Sequence, residues 1–120
     1  MEITQFWKSV LEQDEAPIVL CDLHHIIIYM NPAAKARYKS DLTEKSLFDC
    51  HNAETNEMIK RVVEWFAADK SHNKVYTFRN DKENKDVYMI ALRNDSGELI
   101  GYYEKHEYRT AEIMNKYDLY

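Results

Sequence analysis

The sequence predicts an α+β fold: a five-stranded antiparallel sheet with helices on one face and an N-terminal helix on the other face or at a dimer interface. Three observations predict it. Residues 53–68 carry apolar groups at i, i+3, i+4, i+7 and i+8 spacing, the stripe of a helix with one buried side. Two short runs rich in branched residues, 18–22 (IVLCD) and 25–30 (HIIIYM), precede that helix and read as strands. Three more strand runs follow it, at 74–79, 86–92 and 99–108. A hairpin at the start and a meander at the end join into one sheet, and the helices between them cover a face of it.

The chain in order supports each element. Ile3, Phe6, Trp7, Val10 and Leu11 form one stripe of a helix over residues 3–12. Residues 14–17 break it. The first two strands are joined by a turn at His24 and His25, short enough for an antiparallel hairpin. Asn31-Pro32 ends the second strand and opens an alanine-rich helix over 32–38, because proline suits a first helical turn. Residues 41–49 lack periodicity and read as irregular turns. Asn52 caps the long helix, since its side chain can accept from a backbone N–H one turn on. Glu54 and Glu57 then sit near the positive end of the helix dipole. Polar turns at 81–85 (DKENK) and 94–97 (NDSG) separate the last three strands. The middle strand is apolar on both sides, with Val87, Met89 and Ala91 on one and Tyr88, Ile90 and Leu92 on the other. Both sheet faces therefore need a cover. The first helix is expected to supply the second one, in cis or across a homodimer.

At 120 residues one domain is expected, divided as a helix at 1–14, the main domain at 15–112 and a tail at 113–120. The chain is 45% hydrophobic and 31% charged, which argues against disorder. The net charge is -5 and the Lys and Arg residues are scattered, so no nucleic-acid partner is expected. No apolar run approaches the roughly 20 residues of a membrane span. The N-terminal stretch is acidic and amphipathic rather than signal-like, so a cytoplasmic location is expected. Cys21 and Cys50 are then expected as thiols, and without a CxxC pattern they give no zinc framework. No Gly-rich phosphate loop, HExxH helix or nucleophile elbow is present, and no enzyme is expected.

The one thiol–imidazole pair, Cys50-His51, stands directly ahead of the long helix. A thiolate at a helix N-terminus has a lowered pKa and becomes nucleophilic or metal-binding. His51 is a candidate haem or metal ligand. The plainer alternative makes Cys50 a small core residue and leaves His51 bonded to a carbonyl. His24 and His25 read as a surface turn, Cys21 as a buried hydrophobe, and His72 and His106 as solvated side chains. Arg79 and Arg93 read as solvated strand-end charges, each able to meet an anionic ligand. Strand alternation lets Tyr102 or Tyr103 point inward, not both.

Three segments carry a resemblance. Asp22 with HIIIYMNPAAKARY, then KSLFD, then NDSGELIGYYEKHEYRT, in that order and spacing, resemble a PAS domain over residues 16–110. Lys45 departs from the pattern, standing where many relatives carry Gly. The Cys-His segment before the long helix is similar to that of a bacterial PAS subgroup. The resemblance implies a sensory or small-ligand-binding module that signals through a partner protein, often as a homodimer, with a cavity between the sheet and the long helix. It implies a cavity wall of Cys50, His51, Met58, Ile59 and Val62, faced from the strands by Tyr88, Ile90 and Tyr102. It leaves the cofactor unnamed, with haem on His51 as one option. The cysteine-bearing GRNCRFLQ-like segment of the flavin-binding subgroup is missing, so a light sensor is not expected. Three function classes follow: a stand-alone sensory module, a haem or thiol-redox sensor using Cys50 or His51, and a ligand-free dimerisation domain.

Overall fold

A computed structural model describes residues 3–117. Residues 1–2 of the expected N-terminal segment and 118–120 of the expected tail lie outside the described residues. The elements are α1 (Ile3–Gln13), β1 (Val19–Asp22), β2 (Ile27–Met30), α2 (Pro32–Tyr38), a 3-10 turn (Leu47–Cys50), α3 (Ala53–Ala68), β3 (Lys74–Asn80), β4 (Lys85–Arg93) and β5 (Leu99–Tyr108). The strands form one antiparallel sheet in the order β2-β1-β5-β4-β3. The α+β class and the five-stranded sheet are as the sequence predicts.

The two halves of the sheet meet along the β1–β5 seam, where Cys21 pairs with Tyr102 and Asp22 with Gly101. A Cβ on Gly101 would lie 2.2 Å from the Cys21 carbonyl oxygen, so only glycine lets the strands approach this closely. At the β4–β5 hairpin, Gly97 takes a φ of 81°, the left-handed conformation that a tight turn requires.

Register sorts the two faces. On the inner face Ala91 lies opposite Tyr102, Met89 opposite Glu104 and Val87 opposite His106. On the outer face Tyr88 lies opposite Lys105 and Ile90 opposite Tyr103. The core fills the inner side: Cys21, Ile27, Met30, Met89 and Tyr102 from the strands meet Ile59, Val62 and Phe66 from α3. Burial of this apolar surface is the main force that holds α3 to the sheet.

Asn31 is fully buried and ties three elements together. Its Oδ1 accepts from Ile18 N and from Ala34 N, both at 2.9 Å, the second as the cap of α2. Its Nδ2 donates to the carbonyls of Leu11, Asp14 and Ala16 at 3.0, 3.3 and 2.9 Å. The end of α1 is thereby fastened to the body, helped by Tyr29, whose hydroxyl donates to Glu12 at 2.9 Å. The rest of α1 is open. Phe6, Trp7 and Val10 are 54, 67 and 72% exposed, and no residue of the helix is buried. Within one chain, only the Val10–Leu11 end borders the outer sheet face, across a groove that also touches Leu20, Leu92 and Tyr103.

Candidate functional site

The start of α3 is fixed as its sequence dictates. The side chain of Asn52 accepts from Thr55 N at 2.8 Å, satisfying a free first-turn donor. One turn on, Asn56 Nδ2 donates to the Phe48 carbonyl at 3.1 Å and joins the helix to the 3-10 turn before it. The stripe then buries Ile59, Val62 and Phe66. At the far end, Arg93 grips the helix terminus. Its guanidinium donates to the carbonyls of Phe66 (2.7 Å), Asp69 (3.1 Å) and His72 (3.1 Å). Phe66 is in the last turn of α3, where a helix end leaves carbonyls unpaired, and Asp69 and His72 lie in the segment that follows. Arg93 is thus a structural clamp rather than the solvated strand-end charge expected.

Between the first turns of α3, the end of α2 and the inner sheet face lies a hollow of about 440 Å³. His51, Glu54, Thr55 and Met58 border it from the α3 side, and Arg37 and Tyr38 from α2. Thr77, Phe78 and Asn80 come from β3, Lys85 and Val87 from β4, and Glu104 and His106 from β5. The wall mixes apolar Tyr38, Met58, Phe78 and Val87 with polar and charged side chains.

The charged groups are poorly paired. The Lys85 side chain is 1% exposed, yet its closest carboxylate is Glu83 at 3.5 Å. Glu83 is already held by Arg37 and by Asn80, whose Nδ2 donates to it at 2.9 Å. Burial lowers the Lys85 pKa, and the Arg37 charge adds to that. Burial raises the Glu104 carboxyl, against the pull of His51, Lys85 and Arg37. No lysine or arginine lies within 4 Å of Glu104 among the described residues, and the imidazole of His106 is 3.9 Å away through Nε2. His106 is 8% exposed, and its pKa is held down to about 4 by burial and by the nearby Lys85 and Arg37 charges. Its Nδ1 is buried without a hydrogen-bond partner among the described residues.

The expected site residues divide. His51 and Met58 border the hollow. Ile59, Val62 and Tyr102 lie in the packed core beyond it. The Tyr102 hydroxyl is 2.7 Å from His25 Nδ1, and His25 stacks on Phe48 at 4.2 Å. His25 is therefore built into the interior edge, not a free surface turn. Tyr102 points inward and Tyr103 outward, as alternation requires. Tyr88 and Ile90 are corrected: strand alternation places them on the outer face, opposite Lys105 and Tyr103, away from the hollow. Met89 and Val87 take the inward positions. Cys50 is also corrected. It is exposed, and partial burial with the adjacent Asp49 charge raises its pKa. It lies in the 3-10 turn before the Asn52 cap, so the helix N–H groups do not stabilise its thiolate. Cys21 is buried, and burial pushes its thiol up to about 12.

The sequence reading missed Arg37, Lys85, Glu104 and His106. Inward alternation of β5 from Tyr102 would have found Glu104 and His106. His106 in particular is not the solvated side chain expected. Nothing local marks Lys85, which reads as part of a polar turn.

Haem fits this hollow badly. His51 does have one free nitrogen, because its Nδ1 is engaged with the Leu47 carbonyl at 3.1 Å. A porphyrin, however, needs broad apolar walls, and Arg37, Lys85, Glu104 and His106 interrupt them. Among the described residues no three His, Cys, Asp or Glu side chains converge to hold a metal ion.

Comparison with known structures gives the fold. The chain is similar to a C-terminal domain from Streptococcus mutans, at 23% identity and TM-score 0.66, covering 89% of this chain and 84% of that one. It is similar to a PAS domain from Colwellia psychrerythraea, at 13% identity and TM-score 0.66, covering 88% and 96%. It is similar to a sensory box sensor histidine kinase structure from Vibrio cholerae, at 11% identity and TM-score 0.60, covering 88% and 90%. No protein-family model and no curated protein matches the chain. The fold is that of PAS domains. No helix among the described residues is long and apolar enough to cross a membrane.

Proposed function

We propose that this chain is a cytoplasmic sensory module that binds a small ligand and signals through a partner protein, as a homodimer. The observation that carries this reading is the hollow, where among the described residues His106 Nδ1 is buried without a partner, buried Lys85 has only a long contact to Glu83, and half-buried Glu104 meets no lysine or arginine within 4 Å. Buried polar groups are normally satisfied, because leaving them unpaired is costly. A ligand that supplies the missing partners resolves that cost. This also favours ligand binding over a ligand-free dimerisation domain. The sensor histidine kinase among the similar structures is in keeping with a signalling role.

The route outward is short. Arg37 and Tyr38 end α2, Asn31 caps its start, and the same Asn31 amide holds the end of α1. Occupancy that shifts α2 or the start of α3 against the sheet is thereby passed to α1. The open Phe6–Trp7–Val10 stripe supplies an apolar surface for a second copy. A native mass spectrum of protein purified from its own host tests the reading. A retained small molecule is expected. Protein that arrives empty, and whose His51 and His106 resonances stay fixed on addition of host small-molecule extract, overturns it.

The exposed Cys50, with its raised pKa, gives no support to a thiol-redox sensor. The polar hollow gives none to a haem sensor.

A further inference from the structure

The unmet groups in the hollow have a definite chemical pattern. Lys85 is a buried ammonium whose three N–H donors have, among the described residues, one long carboxylate contact, to Glu83 at 3.5 Å, with the Tyr108 ring 5.4 Å away. Glu104, half-buried, has no lysine or arginine within 4 Å among the described residues, and its nearest imidazole is His106 at 3.9 Å. The two are not paired with each other within 4 Å among the described residues, although both border the same hollow. A weakly paired cation and a weakly paired anion bordering one hollow match a molecule carrying both charges in the opposite sense. His106 Nδ1, unpartnered among the described residues in a side chain more than nine-tenths buried, is one further acceptor on the lining when the ring carries its proton on Nε2. The apolar part of the lining is Tyr38, Met58, Phe78 and Val87.

We propose that the hollow binds a free amino acid with a large apolar side chain, its carboxylate on Lys85, its ammonium on Glu104 and His106, and its side chain against Met58, Phe78 and Val87. The assignment rests on the ligand-binding reading above and narrows it to one class. The volume of about 440 Å³ admits an aromatic or branched amino acid. Sites built to pair a charged group reject analogues that lack it, since their own buried groups are then left unpaired.

Calorimetric titration of the full chain with L-phenylalanine, L-leucine, 3-phenylpropionate and phenethylamine tests the proposal. At least one of the two amino acids is expected to bind. L-phenylalanine is expected to bind at least tenfold more tightly than either single-headed analogue. Glu104→Gln should bring phenylalanine and phenylpropionate to near equality, and Lys85→Met should do the same for phenylalanine and phenethylamine. The analogue series on the unaltered protein stands even if a variant fails to fold. A preference below tenfold over either analogue, or no binding of either amino acid, overturns the proposal. If amino acids fail while host extract still moves the His51 and His106 resonances, the amino-acid assignment falls alone. If the extract moves neither, the ligand-binding reading falls with it.

Discussion

Asn31 holds five backbone groups with one buried amide, spanning α1, the connection from α1 to β1, and α2. Alanine there would leave buried N–H and C=O groups without partners. Each such orphan costs about 1–3 kcal/mol, so Asn31→Ala is expected to lower unfolding free energy by about 3 kcal/mol in urea titration. Amide exchange in α1 should quicken by more than the global loss explains, because the helix end is released as well. The hollow makes a pH signature of its own. His106 has a folded pKa of about 4, below its ordinary 6.5. The unfolded chain therefore takes up that proton first, and stability is lost as pH falls between those values, by about 3 kcal/mol at 1.4 kcal/mol per unit. Glu104 acts in the opposite sense. Its folded pKa is raised by burial, so its contribution is lost as pH rises from the ordinary carboxylate range through the folded value. The two partly cancel in the intact protein. His106→Gln should flatten the acid-side loss in urea titrations at pH 7, 6, 5 and 4. Glu104→Gln should steepen that loss and leave the ligand-free protein more stable at neutral pH. A variant with unchanged pH dependence would place the side chain in water instead.

Each element was legible to the extent that its cause is local. The Asn52 cap and stripe of α3, the Asn31-Pro32 start of α2 and the glycine turn at Gly97 all act within a few residues, and these elements form close to their expected bounds. Arg93 was misread because its partners, Phe66 and Asp69, lie more than 20 positions earlier in the chain. Removing that clamp by Arg93→Met is expected to cost about 2 kcal/mol, since charge-assisted bonds to three carbonyls are lost, and a guanidinium denaturation curve would show it. The β1–β5 seam is also non-local. A methyl at Gly101 would collide with backbone, not with a flexible side chain. Gly101→Ala should therefore destabilise by about 3 kcal/mol, at the upper end for overpacked sites. Tyr88 and Ile90 were placed in the cavity because β4 is apolar on both sides, and composition alone does not say which side α3 covers. Only the pairing of β4 with β5 decides that.

For the whole molecule, the open stripe of α1 sets the expectation for assembly. Light scattering is expected to give a dimer for the full chain and a monomer once residues 1–14 are removed. An unchanged mass would mean that the helix folds back on its own sheet. The polar hollow sets the expectation for cofactors: hemin added to purified protein should keep the visible spectrum of free hemin. The fold was readable from strand and helix periods plus three short segments. The candidate site was readable only in part, because its charges converge from four elements far apart in sequence. The seam that closes the sheet joins residues about 80 positions apart, Cys21 and Tyr102. During synthesis the leading hairpin therefore waits, with one edge unpaired, until the last strand leaves the ribosome. Contacts at that separation form slowly, and an early arrest of translation would release a fragment with a bare strand edge, prone to join with others of its kind.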